Sequence, residues 1–144
     1  MRTFYVFKLN KNYITPAKKE PYNIYLLLNS IYSYKRTDIT IPFNLFKEVC
    51  IPINKDFFDK YFYDKLNNDE GYTKFKSIHM YHNYFTGEES KMAVNISHIK
   101  IKSNIEDNIF KTNLINGLFM CDFEKCICYY CNKSYDSRVG SKVV

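Results

Sequence analysis

Four cysteines lie close together near the end of the 144-residue chain, at Cys121, Cys126, Cys128 and Cys131. Structural zinc is bound by four such soft ligands in a tetrahedron, and the spacing of Cys128 and Cys131 also occurs in redox dithiols. On a single strand, however, Cys126 and Cys128 face one side while Cys121 and Cys131 face the other, so one tetrahedron would require the strand to break. The pattern favours ordinary packed cysteines and leaves a zinc- or nucleic-acid-binding module as the alternative.

The other residues that could support catalysis show no recognisable arrangement. His79 and His82 lie three positions apart in an extended segment and so point to opposite faces, while His98 is distant in sequence. Asp59 falls on the polar side of an amphipathic helix, where solvation accounts for it. No phosphate-binding glycine loop, metalloprotease helix or nucleophile elbow occurs. We therefore expect a protein that is not an enzyme and that uses no cofactor.

Positive charge is concentrated in the first quarter of the chain. Residues 1–36 contain seven Lys or Arg and one acidic residue, so they hold the whole net charge of +6. Such a region steers an acidic partner by long-range attraction, which salt screens. Lysines also alternate with aromatic residues over 72–85, and in such a pattern the aromatic rings can stack on the bases of single-stranded nucleic acid. Because Glu88 and Glu89 follow and the local charge is modest, this pattern favours core packing or a protein interface, and we expect no direct nucleic-acid contact.

The sequence contains no recognisable targeting or membrane segment. Residues 1–9 are too short for a signal peptide and are interrupted by Lys8, and no apolar run has the length of a membrane span. We expect a cytoplasmic protein with no membrane partner. In that compartment the five cysteines would be thiols or metal ligands rather than disulfides.

The first half of the chain reads as one strand followed by helices. Thr3–Leu9 is rich in aromatic and β-branched residues and predicts a buried strand that runs into a polar loop. Pro21 can begin a helix through the apolar run YNIYLLLNSIYSY. A short helix is predicted over Pro42–Val49, because the Ile-Pro dipeptides on either side disfavour helix at Ile41 and Ile51. A third helix, capped by Asn54, ends at the polar run of residues 67–71.

The second half changes to the period of strands. Tyr72–Phe85 and Lys91–Asn95 predict a hairpin, and the alternating segment His98–Lys102 either continues it or forms a third strand. Ser103 or Asn104 would cap a helix that extends to about Asn116, and a last strand would run from Leu118 to about Tyr130. This order predicts an α+β fold, a single domain over 1–144 with helices packed on a central mixed sheet of about four to five strands.

Taken in order, these segments resemble the sporulation inhibitor of replication family, SirA. The likeness lies in the aromatic first strand with its charged loop, the first helix, the helix–Ile-Pro-Ile–helix unit, and the closing helix and strand. In this chain they read FYVFKLNKNY, YNIYLLLNSIYSY, EVCIPINKDFFDKYFYDKL and NIFKTNLINGLFMCDFEKCICYY. The resemblance covers nearly the whole chain.

The resemblance implies a function without catalysis. Members of the family bind the N-terminal domain of the replication initiator DnaA and block assembly of the initiation complex at the chromosomal origin. Their contact surface lies around the aromatic residue after the first strand and the helix before the Ile-Pro-Ile corner, which implies Tyr13, Phe43 and Phe46 here. Ala17 stands where the family tends to carry a second aromatic residue.

Overall fold

A computed structural model describes the backbone of residues 1–33 and 40–131 and the side chains of residues 1–31 and 44–131. No helix among the described residues is long and apolar enough to cross a bilayer. The elements are, in chain order, β1 (Arg2–Leu9), a 3₁₀ helix (Lys11–Tyr13), α1 (Ile14–Lys19), α2 (Pro21–Ser33), α3 (Thr40–Val49), β2 (Cys50–Ile51), α4 (Lys55–Leu66), β3 (Tyr72–Phe75), β4 (Ile78–Asn83), β5 (Glu88–Val94), β6 (Ile99–Ser103), α5 (Ile109–Thr112), β7 (Leu118–Asp122) and β8 (Ile127–Tyr130).

The predicted helices of the first half are present, with two corrections. The Oδ1 atom of Asn54 accepts the backbone N–H of Phe57 at 3.1 Å, which confirms the N-cap of α4. The prediction that Ile41 is not helical is wrong, because α3 begins at Thr40 and Pro42 falls in its first turn, where no backbone N–H is needed. The segment after β1 is also not a plain loop, since it contains the 3₁₀ helix and α1.

The predicted helix from Ser103 or Asn104 to Asn116 is wrong in length. Only the four residues of α5 are helical, and their N-cap is Asn108, whose side chain accepts the backbone N–H of Lys111 at 2.9 Å. The side chain of Ser103 instead accepts the N–H of Ile105 at 3.1 Å. Capping residues are common in turns as well as at helix starts, so the sequence did not distinguish the two.

The fold is α+β as predicted, but it contains eight strands rather than four to five. Tyr72–Phe85 breaks into β3 and β4 at Lys76, and Leu118–Tyr130 breaks into β7 and β8 at Cys126. Both breaking residues adopt a left-handed backbone with φ of 55°. This conformation normally belongs to glycine or asparagine, so the sequence carried no signal for either turn.

The hydrogen-bonded strand order is β3-β4-β5-β6-β1-β7-β8, and the short strand β2 pairs with β1. Segment 99–103 is therefore a separate strand, as one of the two predicted alternatives had it. The contacts divide the chain into two compact units, which we call unit 1 (residues 1–6 and 52–114) and unit 2 (residues 7–51 and 115–144). The prediction of a single domain stays a prediction.

Unit 1 is an antiparallel sheet of β3, β4, β5, β6 and the start of β1, with helices on one face. Both α4 and α5 contact β5. Phe62 of α4 and Phe110 of α5 are fully buried, with ring centroids 6.2 Å apart. Their apolar neighbours on the strands, which form the core with them, are Phe4, Met92, Ile99 and Ile101.

Unit 2 is built around the β7–β8 hairpin. Helix α2 contacts β8 and α1, and α1 in turn contacts the 3₁₀ helix that follows β1. The end of β1 pairs with β2, in the register Lys8 to Ile51 and Leu9 to Cys50. The buried side chains that these elements share include Leu28, Leu118, Phe119, Met120, Cys121 and Cys128.

Candidate protein-binding surface

The loop after β1 is tied to the end of α3 by its backbone. The N–H of Asn10 donates to the carbonyl of Val49 at 2.8 Å, and the carbonyl of Asn10 accepts the N–H of Tyr13 at the same distance. The side chain of Asn10 also accepts the N–H of Asn12 at 3.2 Å, as an N-cap of the 3₁₀ helix. These bonds place Tyr13 beside the last turn of α3.

Tyr13 and Glu48 are joined by their side chains. The phenolic hydroxyl of Tyr13 donates to Oε1 of Glu48 at 2.9 Å, between a half-buried ring and an exposed carboxylate. This hydrogen bond raises the pKa of the Tyr13 phenol above its ordinary value, with burial and the charge of Glu48 acting in the same direction. At neutral pH Tyr13 is therefore a neutral, oriented aromatic group.

Two further apolar side chains of α3 lie near the surface of unit 2. Phe46 is half-buried and meets the ring of Phe7 edge-on, with centroids 6.4 Å apart and an interplanar angle of 61°. The preceding residue, Leu45, is 37% exposed and was not singled out by sequence reasoning. The backbone of Phe43 belongs to α3, but its side chain lies outside the described residues.

Ala17 contributes nothing to this surface, because its side chain in α1 is 0% exposed. An aromatic ring at position 17 would have to enter the interior of unit 2. The exposed charged side chains of residues 11–19 are lysines, namely Lys11, Lys18 and Lys19. They place positive charge in the same stretch of chain as Tyr13.

The cysteine cluster lies on a hairpin rather than on one strand. The prediction that Cys121 and Cys128 face opposite sides is wrong, because the turn at Cys126 makes them directly paired residues of β7 and β8. Cys128 donates from Sγ to the carbonyl of Pro21 at 3.6 Å, and Cys131 is also buried. The strand break that one zinc tetrahedron would need therefore exists.

The environment of these thiols is nevertheless that of a packed core. Burial raises the pKa of Cys121 well above its ordinary value, with smaller contributions from Cys128, Cys50 and Asp122, and burial raises the pKa of both Cys128 and Cys50 to about 12. Metal binding and nucleophilic attack both require the thiolate. Among the residues that the structure describes, no three His, Cys, Asp or Glu side chains come together in a way that could hold a metal ion.

Unit 1 contains a partly buried polar network, centred on the fully buried His79, that sequence reasoning missed. The carboxylate of Asp59, on α4, accepts the Ser77 hydroxyl and contacts Nε2 of His79, both at 2.7 Å. The other ring nitrogen of His79 lies 2.7 Å from the hydroxyl of Tyr72. The prediction that Asp59 is solvated is therefore wrong. A neutral His79 with its proton on Nε2 satisfies every partner, so the network fastens α4 to the sheet.

The surface around Tyr13 in unit 2 brings several kinds of side chain together. It combines an oriented phenol, a half-buried phenylalanine and an exposed leucine with nearby lysines, which is the chemistry of a protein-binding surface. A comparison of the sequence with models of known protein families and with curated proteins found no match. The resemblance to the SirA family stays a prediction.

Proposed function

We propose that this chain is a non-enzymatic, cytoplasmic inhibitor of DNA replication initiation, active in sporulation, that binds the N-terminal domain of DnaA. By covering that domain it would block assembly of the initiation complex at the origin. The proposal is supported above all by the hydrogen bond between Tyr13 and Glu48. It joins the loop after β1 to α3, the two segments to which the family resemblance assigns the contact surface.

The side chains of this surface are of the kind that dominate binding energy. Protein interfaces of standard size bury about 800 Å² per partner, but a few aromatic or large apolar anchors supply most of the affinity. Tyr13, Leu45 and Phe46 would be these anchors. Because Glu48 already holds the Tyr13 phenol, less side-chain entropy is lost when the complex forms.

The positive charge of the N-terminal quarter would act on the rate of association. Lys11, Lys18 and Lys19 are exposed in the segment that contains Tyr13. Charges at the rim of an interface attract an oppositely charged partner before contact and are screened by salt. We therefore expect added salt to slow association with DnaA more than it changes the dissociation rate.

The test is calorimetric titration of the full chain with the isolated N-terminal domain of the host's DnaA. We expect a complex with the wild-type chain. Tyr13→Ala and Phe46→Ala should each weaken it by more than about 1 kcal/mol, or roughly five-fold in Kd. Circular dichroism should show that each variant is folded.

Two exposed residues outside the proposed surface provide matched controls. Tyr84, which is 85% exposed in unit 1, controls for the loss of a tyrosine ring, and Leu26, exposed on α2, controls for the loss of an exposed apolar side chain. Tyr84→Ala and Leu26→Ala should bind as the wild type does. If the wild-type chain does not bind the domain, the proposed function is wrong. If Tyr13→Ala binds at full strength, the assigned surface is wrong.

A further inference from the structure

One face of the unit 1 sheet carries no helix of that unit. The strand register places five residues side by side across β3, β4, β5, β6 and β1, and a second row of five lies next to it. We call these ten residues the open face. The first row is Phe75, Ile78, Ala93, Lys100 and Tyr5, and the second row is Thr73, Met80, Lys91, Lys102 and Thr3.

The opposite face of the same strands is the buried one. Its rows contain His79, Met92, Ile101 and Phe4, all of which are essentially inaccessible. The ring of Phe62 on α4 lies 6.0 Å from that of His79 on this face. Since strand side chains alternate between faces, α4 covers the side away from the open face.

Apolar and aromatic side chains of the open face reach solvent. Phe75 is 73% exposed and Met80 is 51% exposed. At the other end of the first row, Tyr5 is half-buried, with the ring of His98 5.4 Å away and the ammonium of Lys100 5.7 Å from its centroid. A groove of about 580 Å³ runs along the second row. Its wall includes Thr73, Met80, Lys91 and Lys102, and also the acidic residues Glu70 and Glu89, which lie outside the ten positions of the open face.

The charge of the open face has one sign. It contains three lysines and no acidic residue among its ten positions. Lys91 and Lys102 are directly paired across β5 and β6, and neither forms an ion pair with a residue that the structure describes. Like charges at paired positions of a sheet repel each other, which is a cost that a bound polyanion would remove.

From this geometry we infer that the open face binds single-stranded nucleic acid. Bases would stack on Phe75 and on the Tyr5 end of the first row, and phosphates would contact Lys91, Lys100 and Lys102. Lys100 and Lys102 are two residues apart on β6, a separation of about 7 Å, and Lys91 lies beside Lys102 on β5, so the three lysines occupy neighbouring positions that form a corner on the sheet. Exposed rings interleaved with lysines on a flat sheet are typical of platforms for single strands.

A nucleic acid fits this face better than an acidic protein does. Stacking needs flat exposed rings with cations beside them, whereas protein hot spots lie in well-packed pockets. The inference departs from the expectation that the chain contacts no nucleic acid. The sequence could not show that Lys91 and Lys102, eleven positions apart, are neighbours on one face of the sheet.

The test is fluorescence anisotropy of the full chain with a labelled oligothymidylate of about 20 nucleotides, long enough to span a typical site. A duplex of the same length is measured in parallel. We expect the single strand to bind more tightly, because paired bases cannot stack on Phe75. Phe75→Ala should weaken binding by roughly five-fold or more. The double variant Lys91→Ala/Lys102→Ala should reduce the magnitude of the slope of log K against log salt by about 1.4.

A charge-matched control lies on the other side of unit 1. Lys60 and Lys65 are exposed on α4, and replacing both by alanine removes the same charge without touching the open face. This double variant should keep the wild-type affinity, and urea unfolding should show that all variants are folded. The inference would be overturned if duplex and single strand bound equally well. It would also be overturned if the Lys60 and Lys65 double variant lost as much affinity as the Lys91 and Lys102 double variant. An open face that binds only an acidic protein would overturn it as well.

Discussion

The phenolic oxygen of Tyr13 lies 2.9 Å from Oε1 of Glu48, although the two residues are 35 positions apart in sequence. One belongs to the 3₁₀ helix after β1 and the other to the last turn of α3. The backbone bond from Asn10 to Val49 holds the same two segments together. The contact between Tyr13 and Glu48 is therefore part of a docked loop rather than an accidental meeting of two long side chains.

A double-mutant cycle should detect this contact without any partner. We expect Tyr13→Phe and Glu48→Ala each to lower the free energy of unfolding slightly, and the double variant to lose less than the sum. The coupling should be about 0.5 kcal/mol, because an exposed hydrogen bond is largely offset by water. Urea unfolding of the four proteins measures it. If the losses of unfolding free energy in the two single variants add up to the loss in the double variant, the hydrogen bond between Tyr13 and Glu48 does not hold the loop.

The thiols should differ sharply in reactivity. Cys126 is half-exposed in the β7–β8 turn, whereas Cys121, Cys128 and Cys131 are buried. Since only the thiolate is alkylated, and burial raises the pKa of Cys121 and Cys128, iodoacetamide at neutral pH should modify Cys126 at least about ten-fold faster. Mass spectrometry of timed digests measures this order. Under denaturing conditions all five cysteines should react, and rapid native labelling of Cys121 would contradict the packing.

Metal analysis separates the packed-core interpretation from the zinc alternative. Protein purified without tag or chelator should contain well under one zinc per chain, because the thiols of Cys121 and Cys128 resist ionisation in their buried positions. Chelator should leave the unfolding midpoint unchanged. One tightly held zinc, with loss of stability in chelator, would instead favour the Cys-rich module.

A buried histidine, His79, and a half-buried one, His98, should make the fold sensitive to mild acid. Burial lowers the pKa of His79 below 6.5, against the opposing hydrogen bond and charge of Asp59, and burial with the charge of Lys100 lowers the pKa of His98. The unfolded chain therefore takes up protons that the folded chain does not. The stability is fully present above pH 6.5 and is lost as the pH falls from there towards the folded pKa values.

Replacing each histidine shows how much of this pH dependence it causes. His79→Gln and His98→Gln should each reduce the slope of unfolding free energy against pH between about pH 7.5 and 5.5, by at most about 1.4 kcal/mol per pH unit for each histidine. The double variant should be nearly flat in that range. A wild-type slope that persists in the double variant would show that other groups cause it.

The β3–β4 turn offers a paired test of backbone strain. Lys76 has a φ of 55°, which glycine adopts without steric cost, whereas Lys74 lies within β3. Lys76→Gly should raise the unfolding free energy by roughly 0.5–1 kcal/mol, and Lys74→Gly should lower it by a similar amount. Urea midpoints at equal m-value measure both effects. Equal destabilisation by the two changes would contradict the turn conformation.

Elements with strong local signals were predictable from the sequence. The Asn54 cap, the helical spacing of Phe58 and Phe62, and the start of α2 at Pro21 all depend on residues within a few positions of one another. The strand count was not predictable, because Lys76 and Cys126 turn the chain without a glycine. For α5, Ser103 and Asn104 carried a capping signal that the chain uses in a turn instead.

The sequence by itself determined three features: the α+β class, the alternation of apolar and polar side chains along the strands, and the concentration of positive charge near the N-terminus. Each of them follows from residues that are neighbours in the sequence. Tertiary structure alone decided that Tyr13 meets Glu48, that Asp59 contacts His79, and that Lys91 and Lys102 share one open face. Each of these pairs is brought together by a strand register or a helix docking. Such contacts depend on the packing of the whole unit, which no local pattern of residue types encodes.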